Sequence, residues 1–64
     1  MPFSTNLREL RINQRYTQDE LSKKLNLSRT AISNYEKGII QPSIDTIIKI
    51  SEIFNVSLDD LLKK

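Results

Sequence analysis

The chain has 64 residues and a formal net charge of +2, and it contains no cysteine and no histidine. This length supports one domain with a small core, and the missing residue types exclude a disulfide framework and a cysteine–histidine zinc site. No segment is as long and apolar as a membrane span, and the first residues lack the apolar run of a signal peptide. We therefore expect a soluble, cytoplasmic protein that makes no contact with a membrane.

Positive charge is concentrated in the first part of the chain. Residues 1–37 hold seven Lys or Arg against four Asp or Glu, whereas residues 38–64 hold three against four. This asymmetry favours a basic face for a polyanion, and chance variation on a short chain is the competing explanation.

Apolar residues recur at spacings of three and four, which indicates helices. A first helix is predicted over 6–14, with Ser4 or Thr5 as its N-cap. Its inner side is predicted to present Leu7, Leu10 and Arg11.

The second helix has strong signals at both ends. Thr17 followed by Glu20 is a capping-box pattern that predicts a helix over 18–25. Asn26 favours the left-handed conformation that ends a helix.

The third helix is predicted over 29–37, between an N-cap at Ser28 and a stop at Gly38. Ala31, Ile32 and Tyr35 fall on one side of its helical wheel. The other side forms a polar arc of about 140°. That arc contains Arg29, Thr30, Ser33, Asn34 and Lys37.

The C-terminal half predicts two more helices. One covers 44–54 after an N-cap at Ser43, and a short one covers 58–63 after an N-cap at Ser57. The fourth helix is predicted to present Ile44, Ile47, Ile48, Ser51 and Phe54 inward. Together these elements predict a compact, all-α domain of five short helices over residues 1–64.

The polar arc of the third helix suits DNA better than water alone. Arg29 is able to fork onto guanine O6 and N7, Asn34 to pair with adenine N6 and N7, and Thr30 to meet the thymine methyl group. The arc carries no acid that would repel phosphates. An ordinary solvated face is the alternative interpretation.

Helix 2, the turn and helix 3 together have the length of a helix-turn-helix unit. The chain from "TQDELSKKL" through "LSRTAISNYEKG" and "PSIDTIIKISEIFNVS" to "LDDLL" resembles the helix-turn-helix domain of the phage repressor and Cro type. The resemblance covers about residues 4–62. It implies a λ-repressor-like fold and a sequence-specific regulator of transcription, most simply a repressor, that binds double-stranded DNA as a homodimer without a cofactor or small-molecule ligand.

The resemblance also implies residue roles. Helix 3 would read bases, helix N-termini and nearby cations would hold phosphates, and an ion pair would join helix 1 to helix 3. The implied base-reading residues are Arg29, Thr30, Ser33 and Asn34. The implied phosphate contacts are Thr17, Gln18, Ser28, Lys37 and Arg15, and the implied ion pair is Arg11 with Glu36.

Some positions depart from the family pattern. Arg15 lies where relatives often have glycine, and we expect it to add a phosphate contact. Ile39 and Ile40 lie in a loop where many relatives place a cation. Backbone amides, packing under the loop and contact with a partner are the alternatives there, and we favour packing for at least one isoleucine.

Other functions have weaker support. The chain has no candidate nucleophile–base pair and no glycine-rich phosphate loop, and we expect no catalysis and no metal site. Ile53 and Leu58 are candidate dimer contacts or parts of the small core. An antitoxin-type regulator that binds both DNA and protein is one alternative function, and a protein-interaction module on the same fold is another.

Overall fold

The computed structural model describes residues 2–63, which contain five helices and no strand. The predicted all-α fold is confirmed for these residues, while Met1 and Lys64 lie outside them. The helices are α1 (Pro2–Asn13), α2 (Gln18–Leu25), α3 (Arg29–Lys37), α4 (Ile44–Phe54) and α5 (Leu58–Leu62).

Side-chain caps set the helix boundaries. Thr17 Oγ1 accepts a hydrogen bond from the Glu20 N–H at 3.0 Å, and Glu20 Oε1 accepts one from the Thr17 N–H at 2.8 Å. This capping box satisfies amides that have no partner inside the helix. The predicted bounds of α2, α3 and α4 are confirmed, and α5 ends one residue before the predicted end. The other N-caps are Ser28, Ser43 and Ser57.

The predicted start of α1 is wrong. The helix begins at Pro2, where proline is tolerated because the first amides have no helical acceptor. Ser4 and Thr5 therefore lie inside the helix and not at its N-cap. The first turn is helical because Phe3 and Ser4 pack inward, with exposed fractions of 6% and 5%.

The core lies where all five helices meet. Leu7, Leu21 and Ile32 are fully buried and join α1, α2 and α3, the helices on which the site stands. Ser22 is 3% exposed and leaves room for the close approach of α2 to α3. Its hydroxyl donates to the Asp19 carbonyl at 2.6 Å, so its burial leaves no polar group unsatisfied.

The inward face of α4 differs from the prediction. Ile44 is 68% exposed and Ile48 is 38% exposed, whereas Ile50 is fully buried. The helix carries isoleucine around most of its circumference, and packing against its neighbours selects the buried side. That side consists of Ile50, Ser51 and Phe54, which are buried, and Ile47 and Ile53, which are partly buried.

Candidate nucleic-acid interface

Helix α3 presents a polar outer face on an apolar support. Ile32 is fully buried and Tyr35 is 9% exposed, so these two side chains anchor the helix to the core. Ala31 packs beside them and is partly buried. The outer face comprises Arg29, Thr30 and Lys37, which are exposed, and Ser33 and Asn34, which are half-buried. No carboxylate lies on this face.

An ion pair fixes α3 to α1. Arg11 Nε donates to Glu36 Oε2 at 2.6 Å, and Arg11 Nη2 donates to Glu36 Oε1 at 3.1 Å. The Glu36 side chain is 5% exposed and that of Arg11 is 14% exposed, so water screens the pair weakly. Arg11 Nη1 also donates to the Tyr16 carbonyl at 2.9 Å. The pair that the family resemblance implied is present in the structure.

Gln18 joins this arrangement from the first turn of α2. Its Nε2 donates to Glu36 Oε1 at 3.2 Å, so the same carboxylate ties α1, α2 and α3 together. Gln18 is half-buried and lies between α1 and the outer face of α3, with its side-chain amide held by this hydrogen bond.

A cleft opens between the end of α1, the start of α2 and the start of α3. We call it the Arg15 cleft, and four of the predicted DNA-contacting residues line it. They are Arg15, Thr17, Gln18 and Arg29. Its rim also includes Asp19, whose carboxylate lies 3.4 Å from Lys23 Nζ.

Arg15 adopts a left-handed backbone conformation with φ of 63°. Its N–H donates to the Ile12 carbonyl at 3.0 Å, and the Tyr16 N–H donates to the Arg11 carbonyl at 3.0 Å. These bonds close the C-terminus of α1. The exposed arginine therefore occupies a backbone position that favours glycine.

A second cleft lies on the other side of Gln18. We call it the Arg8 cleft, and its lining consists of Arg8, Gln18, Ser33, Glu36 and Lys37. The structure thus brings Ser33 and Lys37 together with Gln18, and it adds an arginine from α1 that our sequence analysis missed. The available signal was its position one helical turn before Arg11.

Thr30, Asn34 and Ser28 line neither cleft. Thr30 and Asn34 belong to the part of the α3 arc that points away from α1 and α2. Ser28 Oγ accepts from the Ala31 N–H at 3.1 Å, so it caps α3 at the end where a phosphate contact was predicted.

The prediction that at least one of Ile39 and Ile40 packs under the loop is wrong. Ile39 is 65% exposed and Ile40 is 49% exposed. The Ile39 N–H donates to the Asn34 carbonyl at 3.0 Å and completes the turn at Gly38, whose φ is 75°. This turn directs the chain outward from the end of α3, so the isoleucine side chains lie at the surface.

The candidate dimer contacts differ in exposure. Ile53 packs partly against the core, whereas Leu58 is 42% exposed at the start of α5. Ile53 therefore contributes to the monomer's core, which the sequence alone left open.

Metal and membrane chemistry find no support in residues 2–63. No group of three or more His, Cys, Asp or Glu side chains in this part of the chain is placed to hold a metal ion. None of its helices combines the length and apolar character that crossing a membrane requires.

Comparison with known proteins gives a consistent result. A helix-turn-helix family model matches residues 7–61. The chain is 42% identical over 64 residues to the HTH-type transcriptional regulator ImmR of Bacillus subtilis, a match that covers 100% of this chain and 50% of that protein. It is 40% identical over 62 residues to the HTH-type transcriptional activator BcrR of Enterococcus faecalis, covering 97% of this chain and 30% of that protein. The chain thus spans half or less of these relatives.

A solved structure also matches over most of its length. The restriction-modification controller protein C.AhdI from Aeromonas hydrophila superimposes with a TM-score of 0.85 and 27% sequence identity. The match covers 94% of this chain and 91% of that one.

Proposed function

Since the chain belongs to the Cro/C1-type helix-turn-helix family, we propose that it binds double-stranded DNA sequence-specifically and regulates transcription. In this proposal α3 lies in the major groove, with its outer face against the edges of the bases. Arg29, Thr30, Ser33 and Asn34 read bases there.

One observation carries this proposal. The outer face of α3 is polar and free of acid, and α3 itself is held in a fixed orientation on the core. The buried Arg11–Glu36 pair and the Gln18 amide fix its orientation at three helices. A firmly positioned helix with polar side chains on its outer face is what direct readout requires, because base contacts discriminate only when the donors are held in register.

Phosphate contacts would set that register. Arg15, Thr17, Gln18 and Ser28 lie around the starts of α2 and α3, where helix N-termini favour anions. Lys37 closes the other end of α3. Contacts at both ends of the helix would fix it along the groove as well as across it.

We further propose that the protein acts as a homodimer, with Leu58 and the exposed part of Ile53 in the contact. Two copies would place their α3 helices in successive major grooves, about 34 Å apart along the DNA. Repression by occupying promoter DNA is the simplest regulatory mode, because binding alone is sufficient for it. In this proposal the protein binds DNA in the cytoplasm, and its role involves no catalytic step.

Selection of bound duplexes from a random pool tests this proposal. We expect a short consensus with two inverted half-sites, and binding to that consensus that weakens steeply as salt rises. A scrambled duplex of the same composition is the control, and it should bind far more weakly. Absence of enrichment, or binding that does not respond to salt, would contradict DNA recognition. A consensus without inverted half-sites would contradict the proposed homodimer and leave the proposed DNA recognition intact.

A further inference from the structure

Arg8 stands at the edge of the α3 reading face although it belongs to α1. It is exposed and lines the Arg8 cleft together with Gln18, Ser33 and Lys37. Neither the family resemblance nor the spacing of the sequence gave this residue a role.

The two helices run side by side in opposite directions. Near the start of α1, Ser4 lies against the end of α3, where a Cβ on Gly38 would be 3.7 Å from Ser4 Oγ. Just beyond the end of α1, Arg15 shares a cleft with Arg29 at the start of α3. Arg8 therefore falls between these points, beside the second half of α3.

The charge around Arg8 has no internal balance. None of the ion pairs within residues 2–63 includes Arg8 or Lys37, and the positions one turn away from Arg8 on α1 carry no acid. Glu36, the carboxylate that lines the same cleft, is already held by Arg11 and Gln18. Two cations thus border one cleft without a carboxylate available to either.

We propose that Arg8 binds a phosphate of the DNA backbone beside the groove that α3 occupies, so that α1 takes part in the interface. This inference rests on the proposed DNA-binding function. Arg8 in the middle of α1 and Arg15 just beyond its C-terminal end would then contact phosphates of the same strand, and Gln18 lies between their clefts. A guanidinium suits this position because its planar donors match two phosphate oxygens at once.

The variant Arg8→Ala tests the assignment through the salt dependence of binding. Removal of one phosphate contact from each protomer should reduce the slope of log K against log salt by about 0.9 per protomer, or about 1.8 for the dimer. The loss of affinity should be the same factor on the selected and the scrambled duplex, because a phosphate carries no sequence information. Arg8 is exposed, so the variant should unfold at the wild-type temperature. Lys49→Ala is the matched control, since Lys49 is an exposed cation that lines neither cleft.

A neutral phosphate locates the contact. We would replace single phosphates of the selected duplex by methylphosphonates and compare wild type with Arg8→Ala. One position in each half-site should weaken binding by the wild type and leave binding by the variant unchanged. If Arg8→Ala keeps the full wild-type slope while the wild type binds in a salt-dependent way, the Arg8 assignment is wrong and the proposed function stands. If the wild type itself shows no salt-dependent binding to any duplex, both fail.

Discussion

Arg11 on α1 and Glu36 on α3 form a two-pronged ion pair whose shorter contact, Nε to Oε2, is 2.6 Å. It lies behind the exposed face of α3, where the carboxylate is almost excluded from water. Because Gln18 of α2 donates to the same carboxylate, the pair controls how the helix-turn-helix unit sits on α1.

We predict that Arg11→Met destabilises the fold by about 3–5 kcal/mol, because it leaves the Glu36 carboxylate buried without a cation. The double variant Arg11→Met/Glu36→Met should recover most of this loss, since it removes the uncompensated charge as well. Urea unfolding of the wild type, both single variants and the double variant gives the coupling free energy. If the two single losses simply add in the double variant, the pair does not act as described.

Substitutions at Arg15 separate its effect on the stability of the fold from its effect on DNA binding. Its left-handed backbone, with φ of 63°, costs a non-glycine residue about 1–2 kcal/mol. Glycine at this position would recover only part of that energy, because it loses more conformational entropy on folding. We predict that Arg15→Gly stabilises the fold by about 0.5–1 kcal/mol and weakens DNA binding. Arg15→Ala removes the same guanidinium and keeps the strain, so it should weaken binding equally without the gain in stability.

Thermal unfolding and duplex titration of these two variants decide the matter. Equal stability of the glycine and alanine variants would show that the backbone at this position is not strained. Unchanged affinity in both would remove Arg15 from the interface.

The buried side of α4 gives a third prediction. Ile44→Ala should change the free energy of unfolding by no more than about 0.5 kcal/mol, because this side chain is 68% exposed. Ile50→Ala should cost about 2–5 kcal/mol, because it opens a cavity in the core. Chemical denaturation measures both. A larger loss of stability for Ile44→Ala than for Ile50→Ala would contradict the observed orientation of α4, in which Ile50 is buried and Ile44 is exposed.

The same helix shows where sequence reasoning succeeds and where it stops. Ser43 and Asn55 mark its two ends with side-chain and backbone preferences that are local, so its bounds were predictable. Its buried face was not, because isoleucine at positions 44, 47, 48, 50 and 53 satisfies more than one helical face. Only packing against the other helices decides between such faces.

The interface divides in a similar way. The residues of α3 follow from one helix and its wheel, and the structure leaves Arg29 and Thr30 exposed as expected. Arg8 is separated from Ser33 by more than 20 residues of chain, and no local pattern joins them. Their shared cleft exists because α1 runs antiparallel to α3, which is a property of the tertiary fold.

The central claim is that the outer face of α3 reads bases, and selection of duplexes with Arg29→Ala beside the wild type tests it most directly. If Arg29 pairs with a guanine, the variant should lose the preference at one base pair in each half-site and keep the others. Its affinity for the wild-type consensus should fall by about 1–3 kcal/mol for each half-site. An unchanged consensus together with equal weakening on every sequence would contradict base reading by Arg29.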